Sequence, residues 1–334
     1  MGNKQAVFKA HGYTLVNGQK KMTMVKNESG DQFVIKKLKA DQDDISNFIQ
    51  QLNHPHIVGH KEIIRDGDCL YLVLEHCEGG DLSQKIKHKM EGTLTFSETE
   101  IVDWTVKICK ALKHLHDQKI LHKHLQPKSI FFTACGAVRL GEFGEINEWS
   151  TDAITAETEA LSYTAPENLR GKPYDEKSEI WSLGCVIYEM CMLKRAFTGE
   201  STVEIISQIL TGSYEALPET FSEDLHQLVK DTLQIDPATR PSVSEISMRP
   251  FIIKLFYGKN VQTIEEMNTT LHELIVQAED LQKVRFYKTK KRKWYKRLFK
   301  VGVERQVSGK CAEFSSLKNA LGGWKADGRL PCGV

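Results

Sequence analysis

A two-lobed α+β fold, small and strand-rich first, larger and helical after, is what three observations predict. Short alternating runs bounded by turn residues fill the first 75 residues. Beyond residue 100 the apolar residues recur at helical spacing. The length of 334 residues suits about two domains of ~150, or two lobes and a tail.

Taken in order, Val16-Asn-Gly-Gln19 carries the Asn-Gly hairpin signal, because both residues tolerate positive φ. Met22–Lys26 alternates, Asn27–Asp31 reads as a turn, and Gln32–Lys36 as a strand. Ile45, Phe48, Ile49 and Leu52 share a helix face that His54-Pro55 terminates. Leu70–Leu74 is a nearly continuous apolar strand, and Glu78-Gly-Gly-Asp81 breaks the pattern. Ile101–His116 carries the stripe of a buried helix. Trp181–Met192 is apolar nearly all round and should be a core helix. Leu225–Leu233 is amphipathic and stops at Asp236-Pro237.

Hydrophobic content of 40% and charged content of 27% describe a globular chain. No apolar run approaches the ~18 residues that span a bilayer, so no transmembrane segment is expected. Met1–Phe8 has no continuous apolar core, so no secretory signal is expected either. Eight cysteines without a C-x-x-C pair argue against a zinc site and a disulfide scaffold. Reduced thiols fit the cytosol or nucleus. The net charge of +1 conceals a split. Residues 257–334 hold 16 Lys/Arg and 8 Asp/Glu, so an acidic body of −7 carries a tail of +8.

Seven segments resemble protein-kinase motifs in the right order. Phe33-Val-Ile-Lys36 is similar to the V-A-I-K strand, and His54-Pro-His-Ile-Val58 to the HPNIV turn. Leu121-His-Lys-His-Leu-Gln-Pro-Lys-Ser-Ile130 stands where kinases carry the H-R-D catalytic loop. Glu142-Phe-Gly144 stands at D-F-G and Ala165-Pro-Glu167 at A-P-E. Trp181-Ser-Leu-Gly184 and Asp236–Pro241 complete the series. Glu78-Gly-Gly-Asp-Leu82, Leu112–Leu121 and Glu179–Cys185 most resemble the NIMA-related (Nek) serine/threonine kinases. The resemblance implies a bilobal protein-kinase fold over 10–256, with an N-lobe at 10–75 and a C-lobe at 78–256.

It also implies which positions should do chemistry, and many have changed. The glycine-rich phosphate flap falls at Leu15–Lys20, where one out-of-phase glycine remains, so a tight Asn17-Gly18 hairpin is expected instead. Lys36 is retained, either to reach phosphates or as a supporting residue. Its glutamate partner is Ile45, and neighbouring Asp44 projects about 100° away on a helix. His124 replaces the catalytic aspartate, Gln126 the loop lysine, Ser129 the metal-binding asparagine, and Ala160 the activation-segment threonine. These four positions cooperate in the family, and all four differ here. Glu142 replaces the metal aspartate and is the one candidate ligand for Mg²⁺. Backbone at Glu75 and Cys77 corresponds to the adenine-binding hinge, so weak ATP binding with little metal dependence is expected. The scaffolding positions persist. Ile49, His60, His122 and Phe143 match the hydrophobic spine, and Glu167 with Arg240 matches the ion pair of the helical lobe.

In the tail, Ile264, Met267, Leu271, Leu274, Ala278 and Leu281 form a short heptad seam. That seam either folds onto the helical lobe or makes a homodimer through 264–281. Residues 283–300 hold ten Lys/Arg, no acid and five aromatics. They read as a solvated helix end, a nuclear-localisation pattern, or a surface for a microtubule, RNA or anionic membrane. The organisation expected for the tail is a helix and basic block over 258–300 and disorder over 301–334. The leading reading is a Nek-like pseudokinase that binds proteins through its fold. Its alternatives are a weakly active serine/threonine kinase and a chain whose basic tail is the main polyanion-binding element.

Overall fold

The computed structural model describes residues 2–18, 22–38, 52–67, 69–141 and 158–257, all within a compact unit spanning Met1–Asn260. The helix expected up to Leu52 and the tail readings at 258–334 therefore fall outside the described residues, as do Ile49, Glu142 and Phe143.

The first lobe is an antiparallel sheet of β1 (Thr14–Gly18), β2 (Met22–Lys26), β3 (Gln32–Leu38), β4 (His60–Asp66) and β5 (Cys69–Glu75), in the order β1-β2-β3-β5-β4. Period-2 alternation divides its faces. Val25, Ile35, Ile64, Tyr71 and Val73 are buried on one face. Val34 and Lys36 share the other, opposite Leu74 and Leu72 of β5.

Two features depart from the sequence expectation. Asn17 and Gly18 are not the hairpin turn. They are paired strand residues, Asn17 with Met24 and Gly18 with Thr23. An irregularity between Leu15 and Asn17 absorbs one residue, and pairing runs through both residues of the Asn-Gly signal. The second departure is a helix, α1 (Gly2–Ala10), that precedes the sheet. Phe8 anchors it at 3% exposure, its ring edge-on to Tyr71 with centroids 5.2 Å apart. Just after it, the Tyr13 hydroxyl donates to Glu62 Oε1 at 2.6 Å, and His11 Nδ1 lies 3.3 Å from Oε2 of the same carboxylate.

The second lobe is helical. α2 (Leu82–Glu91) starts at a capping box of Asp81 and Gln84, and α3 (Glu98–Asp117) at one of Ser97 and Glu100. A short hairpin, β6 (Ile130–Phe132) with β7 (Val138–Leu140), follows. Then come α4 (Thr158–Leu161), α5 (Pro166–Leu169), α6 (Glu176–Met192), α7 (Thr202–Thr211), α8 (Glu223–Thr232), α9 (Val243–Ser247) and α10 (Pro250–Tyr257). α6 is buried without interruption from Ser178 to Cys191, as an all-round apolar helix must be. Trp181 stacks on Phe197 at 5.3 Å within this core. Two strips of backbone join the lobes. The Val58 N–H donates to Leu140 O and the Leu140 N–H to His56 O, both at 2.8 Å. The Gly79 N–H donates to Phe132 O at 2.8 Å. A Cβ on Gly79 would lie 2.7 Å from Thr133 O, so that approach requires glycine. Among the described residues no helix is long and apolar enough to cross a membrane.

Phe8 is buried in the sheet's apolar cluster, with Val7 packed partly buried beside it. Phe8→Ala is expected to lower unfolding stability by about 2–3 kcal/mol in a urea titration. The exposed Lys9→Ala is expected to stay within about 0.5 kcal/mol of the parent.

Candidate functional site

The cleft between the lobes is built from β3, the segment after β5, and the 122–129 loop. β3 places Lys36 beside Leu72. Among the described residues Lys36 has no ion pair, and its charge is one of those acting on His122. At the end of β5 the Glu75 N–H donates to Gly59 O at 2.7 Å. The Glu75 carboxylate accepts from Gly59 N and from Arg139 Nε, each at 3.1 Å. Cys77 is buried. Burial, then the Glu75 charge, pushes its thiol up to about 12, so it stays protonated. Its backbone O accepts from Gly80 N. Among the described residues its N–H has no hydrogen-bond partner, which leaves a donor at the hinge. His60 opens β4 opposite Leu74 and is half-buried.

The loop is held from below. His122 is fully buried. Its Nε2–H donates to Gly141 O at 2.7 Å and its Nδ1 accepts from the His124 N–H at 3.3 Å. Both ring nitrogens are used in the neutral form, and burial pulls the pKa down to about 4. Lys123 stands at φ 65°, a left-handed conformation uncommon for a residue with a side chain. Its N–H donates to Glu179 Oε1 at 2.7 Å, and Glu179 Oε2 lies 2.6 Å from His116 Nε2. Glu179 is fully buried on α6. The sequence reading missed this pair of contacts. The available signal was a carboxylate opening an otherwise apolar helix, which demands buried partners.

The four changed positions meet one another in part. His124 is exposed. Gln126 is buried and its amide Nε2 lies 3.3 Å from His124 Nδ1, placed to donate to it. The Ser129 hydroxyl donates to Gln126 O at 2.8 Å and accepts from Gln126 N at 3.1 Å, and Ser129 is fully buried. Ala160 lies on α4, where its carbonyl accepts from Tyr163 N at 3.1 Å. It has no hydroxyl to offer the loop. The neighbouring Glu159 makes the link instead. One oxygen accepts from Lys128 Nζ of the loop and the other lies 3.2 Å from Arg195. The bond from Lys128, chiefly, holds the Glu159 carboxyl below its ordinary range. Among the described residues no cluster of three His, Cys, Asp or Glu could hold a metal ion. The candidate ligand Glu142 lies outside the described residues.

Glu167 and Arg240 form a bidentate pair at 2.7 and 2.8 Å. Arg240 also donates to the carbonyls of Gln234, Lys177 and Ile235, which uses all five N–H donors. Its guanidinium lies 5.0 Å from the centre of the Trp181 ring. Burial alone would raise Glu167, but the Arg240 bonds prevail and its carboxyl sits below the usual range.

Residues 18–252 match the protein kinase domain. The chain belongs to the protein kinase family. Within that family it is Nek-like. It is 40% identical over 208 residues to mouse serine/threonine-protein kinase Nek1, covering 62% of this chain and 17% of that one. Human Nek5 is 34% identical over 238 residues, covering 70% and 33% respectively. The probable serine/threonine-protein kinase nek3 of Dictyostelium discoideum is 37% identical over 222 residues, covering 65% and 20%. The chain thus matches between 17% and 33% of the length of these relatives. A kinase domain implies use of ATP and Mg²⁺ in general.

His122 and His54 are both held near pH 4, and His56 is also lowered, each chiefly by burial. Between the unfolded value of 6.5 and about 4 the unfolded chain binds protons that the folded chain does not. Stability is therefore full above pH 6.5, falls as pH drops through this window, and levels off below it. For fully buried His122 the loss is roughly 3 kcal/mol. Urea midpoints measured from pH 7 to 5 are expected to fall steadily. A flat profile would remove the neutral-imidazole assignment.

Proposed function

We propose that this Nek-like chain is a pseudokinase: a kinase fold that binds and positions other proteins, with phosphoryl transfer lost or strongly reduced. The observation that carries this reading is the closure of the loop upon itself. His124, Gln126 and Ser129 stand at the positions that handle the hydroxyl proton, the γ-phosphate and the metal in the family. Here Gln126 faces His124, and the Ser129 hydroxyl is spent on Gln126 backbone. The segment 122–129 contains no carboxylate. A neutral imidazole accepts a proton but does not orient a hydroxyl as a carboxylate does.

Loss of a general base alone costs about 10²–10⁴ in rate, and the other changes act on the same transition state. Against a family turnover of ~1–100 s⁻¹, activity below routine detection is expected with Mg²⁺, ATP and a generic serine/threonine substrate. Robust phosphorylation that vanishes in Lys36→Met would establish the active-kinase alternative instead.

The nucleotide half of the cleft is better preserved than the metal half. Lys36 and the Cys77 N–H are the groups that would hold ATP, with Lys36 on phosphate and Cys77 on adenine. Bound ATP would supply the transferable phosphoryl group. Weak binding, little changed by removing Mg²⁺ with a chelator, is expected in a calorimetric titration. Tight binding that requires Mg²⁺ would make Glu142 a working ligand and contradict this.

The charge split between body and tail supports a second contribution to binding. The seam 264–281 pairs two copies and 283–300 meets an acidic surface, in a cytoplasmic setting that includes the centrosome.

A further inference from the structure

β1 is the least supported strand of its sheet. It lies at one edge and is paired with β2 alone. Thr14, Leu15, Val16 and Asn17 are all exposed, so none of its described side chains is buried. β2, by contrast, contributes Val25 to the core. The buried group that leads into β1 is Tyr13, and Tyr13 belongs to a corner. α1 ends in a Schellman turn. The Tyr13 N–H donates to Phe8 O at 2.9 Å and the Gly12 N–H to Lys9 O at 3.0 Å, with Gly12 at φ 80°. Phe8 and Tyr13, which this turn brings together, are both buried. Phe8 reaches Tyr71 of β5, and Tyr13 lies edge-on to Phe33 of β3 with ring centroids 5.7 Å apart. The Tyr13 hydroxyl and His11 both meet Glu62 of β4, the edge of the sheet opposite β1. Residues 8–13 thus cross the face of the sheet that lies away from Lys36, from one edge to the other.

We propose that residues 8–13 are a strap that holds β1 in place, and that strap and strand release together as one local opening. Leu15–Lys20 is where the phosphate flap of a kinase falls, so this opening loosens the roof of the cleft from the far side of the sheet. The strap supports itself weakly. α1 has nine residues, fewer than the ~12–15 at which a helix persists alone in water. Gln5, Ala6, Lys9 and Ala10 are exposed and Val7 is partly buried, so Phe8 carries most of its attachment. The Glu62 side chain is 36% exposed, so water competes for the Tyr13 bond. The rest of the sheet stays paired without the strap, because β3 and β5 each have a strand on both sides. The device concerns the nucleotide half of the cleft and does not depend on the pseudokinase reading.

The test is amide hydrogen exchange of the full chain, without nucleotide, at a series of urea concentrations below the unfolding midpoint. A local opening exposes little surface and responds little to urea, whereas unfolding responds steeply. The Tyr13 amide and the paired amides of β1 are expected to share one opening equilibrium, more open than that of β3 and β5 and nearly independent of urea. Tyr13→Phe removes the bond to Glu62 and keeps the ring. It is expected to raise the exchange of both sets by the same factor, about tenfold. Gly12→Ala is expected to raise both by about fivefold. It strains the left-handed corner, while nothing beyond its chain neighbours lies within 4 Å of the added Cβ. Neither variant removes apolar volume from the core, so both are expected to fold. Exchange of β1 at the urea-dependent rate of β3 and β5 would overturn the proposal, because the strap would then open only with the whole lobe. So would acceleration of the Tyr13 amide in the variants with β1 at the parent rate, because β1 would then be held without the strap.

Discussion

Glu179 is the group on which the geometry of the cleft depends. It sits on the most deeply buried helix, where an unpartnered carboxylate would cost several kcal/mol (about 3–5 for a broken buried pair). Both its oxygens are therefore committed, one to His116 of α3 and one to the Lys123 N–H. The second bond holds Lys123 in its left-handed conformation and so fixes the direction in which the chain enters 124–129. His122, one residue earlier, is locked by Gly141 O. The loop's shape is thus set from α6 and α3, by atoms that take no part in phosphoryl transfer. Side chains at 124–129 can therefore change without removing the bonds that set the loop's entry.

The helices that bury an apolar stripe were legible because periodicity alone defines them. α3, α6 and α8 lie within a few residues of the pattern seen in Ile101–His116, Trp181–Met192 and Leu225–Leu233. β3 and β5 were legible for the corresponding period-2 reason. α1 was not. Its nine residues carry little amphipathic signal, and the partner that makes it worth forming, Tyr71, is 63 positions from Phe8. The Asn17-Gly18 signal was read as a turn because the dipeptide is compatible with one. Whether it becomes one depends on register, and with the irregularity between Leu15 and Asn17 both residues pair within the strand. At the candidate site, residue types at aligned positions could be named from the resemblance to kinases. The bonds among them could not. Gln126 facing His124, and Glu159 joining Lys128 to Arg195 across 31 and 36 positions, are tertiary facts.

Two kinds of ion pair divide the labour in the helical lobe. Arg240 and Glu167 are almost wholly removed from water, with every guanidinium proton assigned. Such a pair contributes little net stability over an apolar substitute, yet losing either partner strands a charge, so it behaves as a fixed joint. Glu159 with Lys128 and Arg195 is the opposite case. Water competes for each partner, so forming or breaking the contact changes the free energy little. The fixed joint keeps the segment around α5 attached to the lobe whatever happens at the cleft. The exposed triad is then free to open and close without consequence for folding.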